Sequence, residues 1–204
     1  MKIKTNKLKV GIIGLGVGLK HYNCFEKNKH TEVIAVCDFD KKKIHKLPKK
    51  VKTFHKAKDL ISDNEIDIVS ISSNDNYHCS QILECIKNNK HIFCEKPTCL
   101  TYSEYLKLEK KIKNYKCYFD TNFNLRTTPL FLKLKRMLKQ KFFGKIFSVE
   151  AGYESGRLYK VINGWRGKIK NYSLTMGGVI HMLDLIFWLL NLQKYKGKIK
   201  INYI

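Results

Sequence analysis

Short apolar runs alternate with amphipathic stretches through the first 120 or so residues of the chain. The apolar runs have the length and residue types of buried strands, and the stretches between them show helical spacing. The predicted strands are Leu8–Ile13, Glu32–Cys37, Ile66–Ile71, His91–Cys94 and Cys117–Phe119. The predicted helices are Leu19–Lys29, Lys56–Asp63, Tyr77–Asn88 and one that Thr101 and Glu104 open with a capping box, ending near Lys113. This alternation predicts an α/β fold with a doubly wound parallel sheet, covered by helices on both faces.

The pattern changes after residue 121, where a second region begins. It predicts a helix over Pro129–Lys139, a strand over Lys145–Tyr153 and an apolar helix over Gly178–Leu190, with one more strand possible in the tail Gln193–Ile204. We therefore expect a first domain over residues 1–121 and, over residues 122–204, the beginning of a second α/β domain with an incomplete open sheet.

Composition and charge exclude some classes of protein. No apolar run approaches the roughly 18 residues of a membrane span, and no signal-peptide cleavage site follows the basic N-terminus, so we expect a cytoplasmic protein without membrane association. The seven cysteines are odd in number and form no Cys-x-x-Cys pair, which favours reduced thiols and no metal site. The net charge of +23 comes from lysines spread along the whole chain. Dispersed charge favours compositional drift over a nucleic-acid surface, although a functional basic surface stays open.

A glycine-rich segment, Gly11–Gly18, follows the first predicted strand and opens the first predicted helix. Gly14 permits a tight turn, Gly16 lets the backbone approach a pyrophosphate, and the helix N-terminus offers free amides to the phosphate charge. In strict Gly-x-Gly-x-x-Gly spacing the third glycine would fall at position 19, which is Leu19. The motif alone is therefore compatible with an ordinary turn.

Asp38 ends the second predicted strand, where a carboxylate can accept hydrogen bonds from the adenine-ribose hydroxyls of a dinucleotide. The same charge would repel a 2′-phosphate, so NAD is expected as the cofactor in preference to NADP. Because strand, glycine loop, helix, strand and acid arrive in order, we prefer this interpretation to that of a turn-starting aspartate.

Lys96 directly follows the predicted strand His91–Cys94, at the sheet edge where ligands bind in open α/β folds. A partly desolvated lysine beside a nicotinamide ring would have a lowered pKa and could share a proton with a substrate hydroxyl. Pro97, the next residue, could adopt a cis peptide bond. From position alone, a solvated loop lysine is an equally good interpretation.

These features resemble the Gfo/Idh/MocA oxidoreductases, the family of glucose-fructose oxidoreductase and inositol dehydrogenase. The resemblance covers nearly the whole chain and rests on the glycine loop, Asp38 and the segments Ser72–His78, Glu95–Pro97, Asn122–Arg126 and Gly177–Asp184. It implies a two-domain NAD(P)-dependent dehydrogenase that transfers a hydride between nicotinamide and a carbinol of a sugar, cyclitol or nucleotide sugar.

The resemblance also suggests roles for particular residues. Lys96 matches the family's catalytic lysine, and His181 matches the histidine of its Asp-x-x-x-His motif. The expected cofactor-binding residues are Gly14, Gly16, Val17, Gly18, Asp38, Ser72, Asn74, His78, Glu95, Lys96 and Asn122. The expected substrate-binding residues are Lys96, Arg126, Trp165, Arg166 and His181, and Arg157 also lies in a segment that would face a substrate. Ordinary loop packing is an equally good interpretation of Arg126, Arg157, Trp165 and Arg166, and His181 is alternatively interpreted as a helix histidine satisfied in the core. His21 is interpreted either as a solvent-facing helix residue, which we prefer, or as a neighbour of the cofactor.

Two departures from the family pattern keep a second function open. Gly177 stands where the family has the aspartate that would orient His181, and Asp184, about one helical turn on, better suits packing or a local hydrogen bond. The chain is also shorter than family members, as a fragment, a split-gene product or a functional short form would be. The alternatives are thus a dehydrogenase acting on a small sugar-like molecule, homo-oligomeric if its second domain is completed, or an inactive nucleotide-binding or partner-binding protein. A nucleic-acid binder has only the charge in its favour.

Overall fold

The computed structural model describes residues 7–45, 47–154, 156, 159, 162–170 and 172–192. The predicted tail strand over Gln193–Ile204 and the candidate Arg157 lie outside the described residues. The described chain forms two compact units. The first contains the residues up to Asn122 together with the segment Tyr159–Tyr172, and the second contains those of Phe123–Leu158 and of the chain from Ser173 onward.

The first unit is built on a six-stranded parallel sheet with the order β3-β2-β1-β4-β5-β6. The strands are β1 (Leu8–Ile13), β2 (Thr31–Cys37), β3 (Lys52–Phe54), β4 (Ile68–Ile71), β5 (His91–Cys94) and β6 (Phe119–Thr121). The chain order reverses between β1 and β4, and in such sheets a crevice opens beyond the carboxyl ends of the strands at this point.

The strand register brings the predicted site residues to one edge of the sheet. The last residue of β1, Ile13, pairs with the last residues of both β2 and β4, and the last residues of β4, β5 and β6 also pair with one another. The residues that follow these ends are Gly14, Asp38, Ser72, Glu95 and Asn122. Five loops separated in sequence therefore leave the sheet at the same level.

Helices connect the strands and cover the sheet. They are α1 (Gly18–Lys27), α2 (Lys41–Ile44), α3 (Ala57–Ile61), α4 (Asp75–Lys87) and α5 (Tyr102–Ile112), and α5 begins with the predicted Thr101–Glu104 capping box. The core has one apolar cluster on each face of the sheet. Val10 and Ile12 belong to one cluster and Ile13 to the other, because successive strand residues point to opposite faces. The predicted doubly wound α/β fold is confirmed.

The second unit contains a 3₁₀ turn at Asn124–Thr127, helix α6 (Pro129–Lys139), a π-helical segment at Thr175–Val179 and helix α7 (Ile180–Leu190). The predicted strand over Lys145–Tyr153 is wrong, since its residues carry no strand assignment. A strand needs a partner for its backbone groups, and none of the described residues supplies one. The alternation instead leaves apolar side chains exposed, and Phe147 is 96% exposed.

The described helices are short. The longest, α4, has 13 residues, whereas a bilayer span needs about 20 apolar residues. Within the described ranges, none of the helices qualifies as a membrane span.

Candidate functional site

A pocket of about 670 Å³ lies at the carboxyl edge of the sheet in the first unit. Its size falls within the range typical of small-molecule and cofactor sites. It is lined by the loops that follow the first five strands, β1 to β5, and by the returning segment Tyr159–Tyr172. The predicted site residues that line it are Gly14, Gly16, Val17, Asp38, Ser72, Asn74, Glu95, Lys96, Trp165 and Arg166.

The two glycines of the β1–α1 loop meet different constraints. Gly14 has a φ of +85°, and a Cβ atom built there would lie 2.6 Å from the Ser72 carbonyl carbon and 2.7 Å from the Ser73 nitrogen. Gly14 is therefore needed for the turn and for its close approach to the next loop. A Cβ atom on Gly16 would meet no atom of the described residues within 4 Å apart from the adjacent ones, although Gly16 lines the pocket. Because glycine has no side chain, the Gly16 backbone is accessible from the pocket, as close contact with a pyrophosphate requires.

Gly18, the first residue of α1, packs the helix against the sheet. A Cβ atom there would lie 3.1 Å from Ile12 Cγ2 and 3.2 Å from Ser72 Cβ. The third glycine of the Gly-x-Gly-x-x-Gly motif has this packing role. Gly18 therefore has the same role, although it lies one position before the strict spacing. Helix α1 also begins without a side-chain cap from any described residue and without an acidic residue in its first turn. Its first amides and positive dipole end thus suit an anion.

Asp38 is buried and is bound to the glycine loop. Its Oδ2 accepts a hydrogen bond from the Leu15 amide at 2.6 Å, and its Oδ1 accepts one from the Asp40 amide at 2.8 Å. The Lys43 ammonium lies 3.6 Å from Oδ2. A carboxylate offers about four acceptor positions, so capacity remains for a ligand hydroxyl. The carboxylate that was predicted only to bind ribose also fixes the loop that would hold the diphosphate.

His21 lies at the centre of a buried hydrogen-bond network, so its interpretation as a solvent-facing residue is wrong. Its Nδ1 lies 2.8 Å from Ser70 Oγ and 3.0 Å from Ser72 Oγ, and its Nε2 lies 3.0 Å from Glu95 Oε1. Asn122 Nδ2 donates to the same Glu95 oxygen at 2.8 Å. The helical pattern missed this burial because the partners come from three other loops and strands.

The network acts on Glu95, which follows the end of β5 together with Lys96. Burial alone raises the pKa of Glu95, but hydrogen bonds from His21 and Asn122 outweigh it and lower that pKa. Burial lowers the pKa of Lys96, as predicted. Asp75 opposes this shift, Arg166 adds to it, and Glu95 opposes it. The Lys96–Pro97 peptide bond is cis, as expected.

Asp75 and Arg166 line the pocket near Lys96, and Tyr172 is hydrogen-bonded to both of them. Asp75, at the start of α4, is buried and accepts a hydrogen bond from the Tyr172 hydroxyl at 2.6 Å. Arg166 Nε lies 3.3 Å from Asp75 Oδ2, and the guanidinium carbon lies 4.2 Å from the centre of the Trp165 ring. Sequence reasoning did not single out Asp75 or Tyr172, because 97 residues separate them.

Two predicted cofactor residues, besides Gly18, lie outside the pocket lining. His78 is fully buried, with Nδ1 2.7 Å from the Pro97 carbonyl and Nε2 3.1 Å from the Ser73 carbonyl. His78 thus links the loops that follow β4 and β5 and stabilises them without lining the pocket. Asn122 acts in the same indirect way, through Glu95.

The remaining predicted residues, Arg126 and His181, belong to the second unit. Both oxygens of Asp184 accept hydrogen bonds from Arg126, with Nε to Oδ2 at 2.8 Å. Asp184 therefore has a hydrogen-bonding role, as expected, but its partner lies 58 residues away in sequence and the bond is not local. His181 lies in the first turn of α7, with its ring edge-on to Phe123 at 6.4 Å between ring centres.

The residues present fit a dinucleotide and give no sign of a metal centre. The bare backbone at Gly16, the uncapped start of α1 and the buried Asp38 carboxylate match the diphosphate and ribose of such a molecule. Among the described residues, no group of three His, Cys, Asp or Glu side chains is arranged to hold a metal ion.

The chain is similar to known oxidoreductases. The Gfo/Idh/MocA family model, described as an oxidoreductase family with an NAD-binding Rossmann fold, matches residues 8–123, more than half of the chain. Inositol 2-dehydrogenase of Salmonella typhimurium is 28% identical over 196 residues, which cover 93% of this chain and 56% of that protein. Myo-inositol 2-dehydrogenase of Thermotoga maritima is 28% identical over 142 residues, or 68% of this chain and 42% of that one.

Solved structures show the same fold. Myo-inositol 2-dehydrogenase from Lactobacillus plantarum matches with a TM-score of 0.83 and 22% identity, covering 90% of this chain and 56% of that one. Scyllo-inositol dehydrogenase from Lactobacillus casei with bound NAD(H) and scyllo-inositol matches with a TM-score of 0.78 and 23% identity, covering 90% and 56%. The chain thus spans about half the length of the relatives it matches.

Proposed function

The chain belongs to the Gfo/Idh/MocA family of NAD-binding oxidoreductases, and from that premise we propose that it binds NAD(H) and transfers a hydride to or from a cyclitol or sugar carbinol. One observation carries this proposal. A single pocket contains the bare backbone of Gly16, the buried carboxylate of Asp38 and the partly buried amine of Lys96. These are the groups needed for the diphosphate, the ribose and a reacting hydroxyl.

NAD is the proposed cofactor, with NADP disfavoured. The amides at the start of α1 would bind the diphosphate, and Asp38 would accept a hydrogen bond from the adenine ribose. Lys43 lies near enough to Asp38 to pair with it. A 2′-phosphate would meet the Asp38 carboxylate and compete with it for Lys43, so we expect discrimination against NADPH.

Lys96 is the proposed proton-transfer residue. The nicotinamide ring, when bound, supplies or accepts the hydride. Burial lowers the pKa of Lys96, which raises the fraction of neutral amine able to accept a hydroxyl proton. His181 stays a predicted second proton-transfer group, and Arg126, Trp165 and Arg166 stay predicted substrate contacts.

The charges of the pocket wall favour an uncharged polyol over a nucleotide sugar. Lys96 and Arg166 are cationic, but Glu95 and Asp75 lie in the same wall, and Arg166 is already bonded to Asp75. The wall therefore offers little net charge to an anionic substrate. The inositol dehydrogenases among the relatives agree with a cyclitol. A cytoplasmic location and a homo-oligomeric state also stay predictions.

Titration of the chain with NADH, followed by fluorescence, tests the binding step. We expect saturable binding and, with NAD⁺ and a panel of cyclitols and sugars, NADH production. Lys96→Ala should abolish production while NADH still binds. No NADH binding by folded protein would refute the proposal.

Gly177, at the position of the family aspartate, favours a second candidate, an inactive nucleotide-binding protein. That candidate predicts NADH binding without turnover of any polyol. Turnover that Lys96→Ala removes would exclude it.

A further inference from the structure

The Asp75–Tyr172–Arg166 cluster needs an explanation because burying a carboxylate is costly. Asp75 is 3% exposed, and a buried charge is tolerated only when it is paired and hydrogen-bonded. Here the pairing partners, Tyr172 and Arg166, both come from the segment Tyr159–Tyr172, which returns to the first unit from a distant part of the sequence. The cluster therefore joins this segment to the start of α4.

The same contacts fix the position of one guanidinium group. Arg166 Nε donates to Tyr172 Oη at 3.0 Å and to Asp75 Oδ2 at 3.3 Å, and Arg166 Nη2 lies 3.5 Å from Asp75 Oδ1. The Trp165 ring covers one face of the guanidinium. A planar group held by two acceptors and an aromatic face has little freedom to move away.

We propose that Asp75 and Tyr172 hold Arg166 in the pocket wall as a fixed charge that acts on Lys96, which makes Arg166 a further positioning residue of the site. The proposal rests on the proposed function only for the role of Lys96 in catalysis. The placement of charge near Lys96 is a property of the chain itself and can be measured without cofactor or substrate.

The charged groups that act on Lys96 come from three elements. Asp75 at the start of α4 and Glu95 at the end of β5 raise the pKa of Lys96, and Glu95 is itself bonded to His21 of α1. Arg166 lowers that pKa, in the same direction as burial. If Arg166 left the wall, Asp75 would also lose its cation, and both changes would favour the protonated, unreactive form of Lys96.

Amine labelling of the full chain as a function of pH measures this effect directly. Between Phe93 and Tyr102 the sequence contains a single lysine, Lys96, so mass spectrometry of this chymotryptic segment reports its reactivity. The exposed Lys116 serves as the internal reference. Arg166→Gln should decrease Lys96 labelling at a fixed pH by on the order of threefold and move its profile to higher pH. Arg166→Lys keeps the positive charge and should restore most of the wild-type profile.

Substitutions at two tyrosines, Tyr172 and Tyr105, supply a test and its matched control. Tyr172→Phe removes only the hydroxyl that joins Asp75 to Arg166 and should decrease Lys96 labelling by a smaller factor. Tyr105→Phe removes a hydroxyl that donates to Glu109 at the same 2.6 Å on the exposed face of α5, and it should change nothing. Tyr172→Phe keeps both charges and therefore carries the test if Arg166→Gln does not fold.

Two results would overturn the proposal. One is a Lys96 profile for folded Arg166→Gln, or for folded Tyr172→Phe, that superimposes on the wild-type profile. The other is an Arg166→Lys profile as displaced as that of Arg166→Gln, since packing rather than charge would then be responsible. NADH titration of the wild-type chain is a separate measurement, so a failure of cofactor binding is not confused with a failure of this proposal.

Discussion

Replacing Gly16 with alanine adds one methyl group at the point where we propose that the backbone meets a diphosphate. Within the part of the chain that the structure describes, a Cβ atom there would contact no atom within 4 Å apart from adjacent residues. Gly16 also does not have the positive φ that disfavours other residues. The folded chain should therefore accept alanine without strain. The methyl group would instead project into the space that a bound diphosphate needs.

The expected magnitudes separate folding from binding. For Gly16→Ala, stability should change little or rise by about 0.4–1 kcal/mol through the unfolded state, while the Kd for NADH rises at least about tenfold, or about 1.4 kcal/mol. Gly14→Ala should instead destabilise the folded chain. A positive φ costs about 1–2 kcal/mol, and contacts of 2.6 and 2.7 Å with backbone atoms of Ser72 and Ser73 add about 1–3 kcal/mol of overpacking.

Urea unfolding and NADH fluorescence titration of both variants supply the test. Gly144→Ala is the matched control, because Gly144 also has a positive φ (+68°) but a Cβ atom there meets none of the described residues within 4 Å. It should show the conformational cost without the clash, so Gly14→Ala should be the more destabilised of the two. Wild-type affinity for NADH in folded Gly16→Ala would show that the diphosphate does not bind against Gly16.

Three further predictions concern Glu95, Asp38 and His21. Because the pKa of Glu95 is lowered in the folded chain, the unfolded chain binds more protons near its usual pKa of about 4.3, and stability is lost as pH falls through the folded pKa. Glu95→Gln should flatten that loss in urea titrations between about pH 3 and 6, and an unchanged slope would contradict this. Asp38→Asn should narrow the preference for NADH over NADPH by roughly tenfold in paired titrations; an unaltered ratio would show that its charge does not discriminate. His21→Ala should lower the free energy of unfolding by about 2–4 kcal/mol, since it leaves Glu95 buried with fewer partners; a loss below about 0.5 kcal/mol would argue against the network.

Local signals predicted many of the described strands and helices. The strands Leu8–Ile13 and His91–Cys94 and the helix Pro129–Lys139 have the predicted bounds, because apolar runs and helical spacing are properties of neighbouring residues. The short strand β3 and helix α2 were missed, because their sequence is rich in lysine and has little apolar pattern. The place of Lys96 in the pocket lining could be predicted, because the carboxyl end of a parallel strand is a fixed place in the fold. Its catalytic role stays a prediction.

Contacts between distant residues could not be predicted in this way. His21 has a helical position typical of an exposed residue, and only its partners 49 to 74 residues away bury it. The bond between Asp75 and Tyr172 likewise depends on the return of a late segment to the first unit. The alternation over Lys145–Tyr153 also failed as a strand signal, because alternation does not supply the neighbouring strand that a sheet requires.

A crystal structure of the chain with NADH tests the central claim most directly. We expect the diphosphate on the amides around Gly16 and the start of α1, the adenine ribose within hydrogen-bond distance of Asp38, and the nicotinamide ring beside Lys96. A dinucleotide bound elsewhere, or one whose nicotinamide lies away from Lys96, would contradict it.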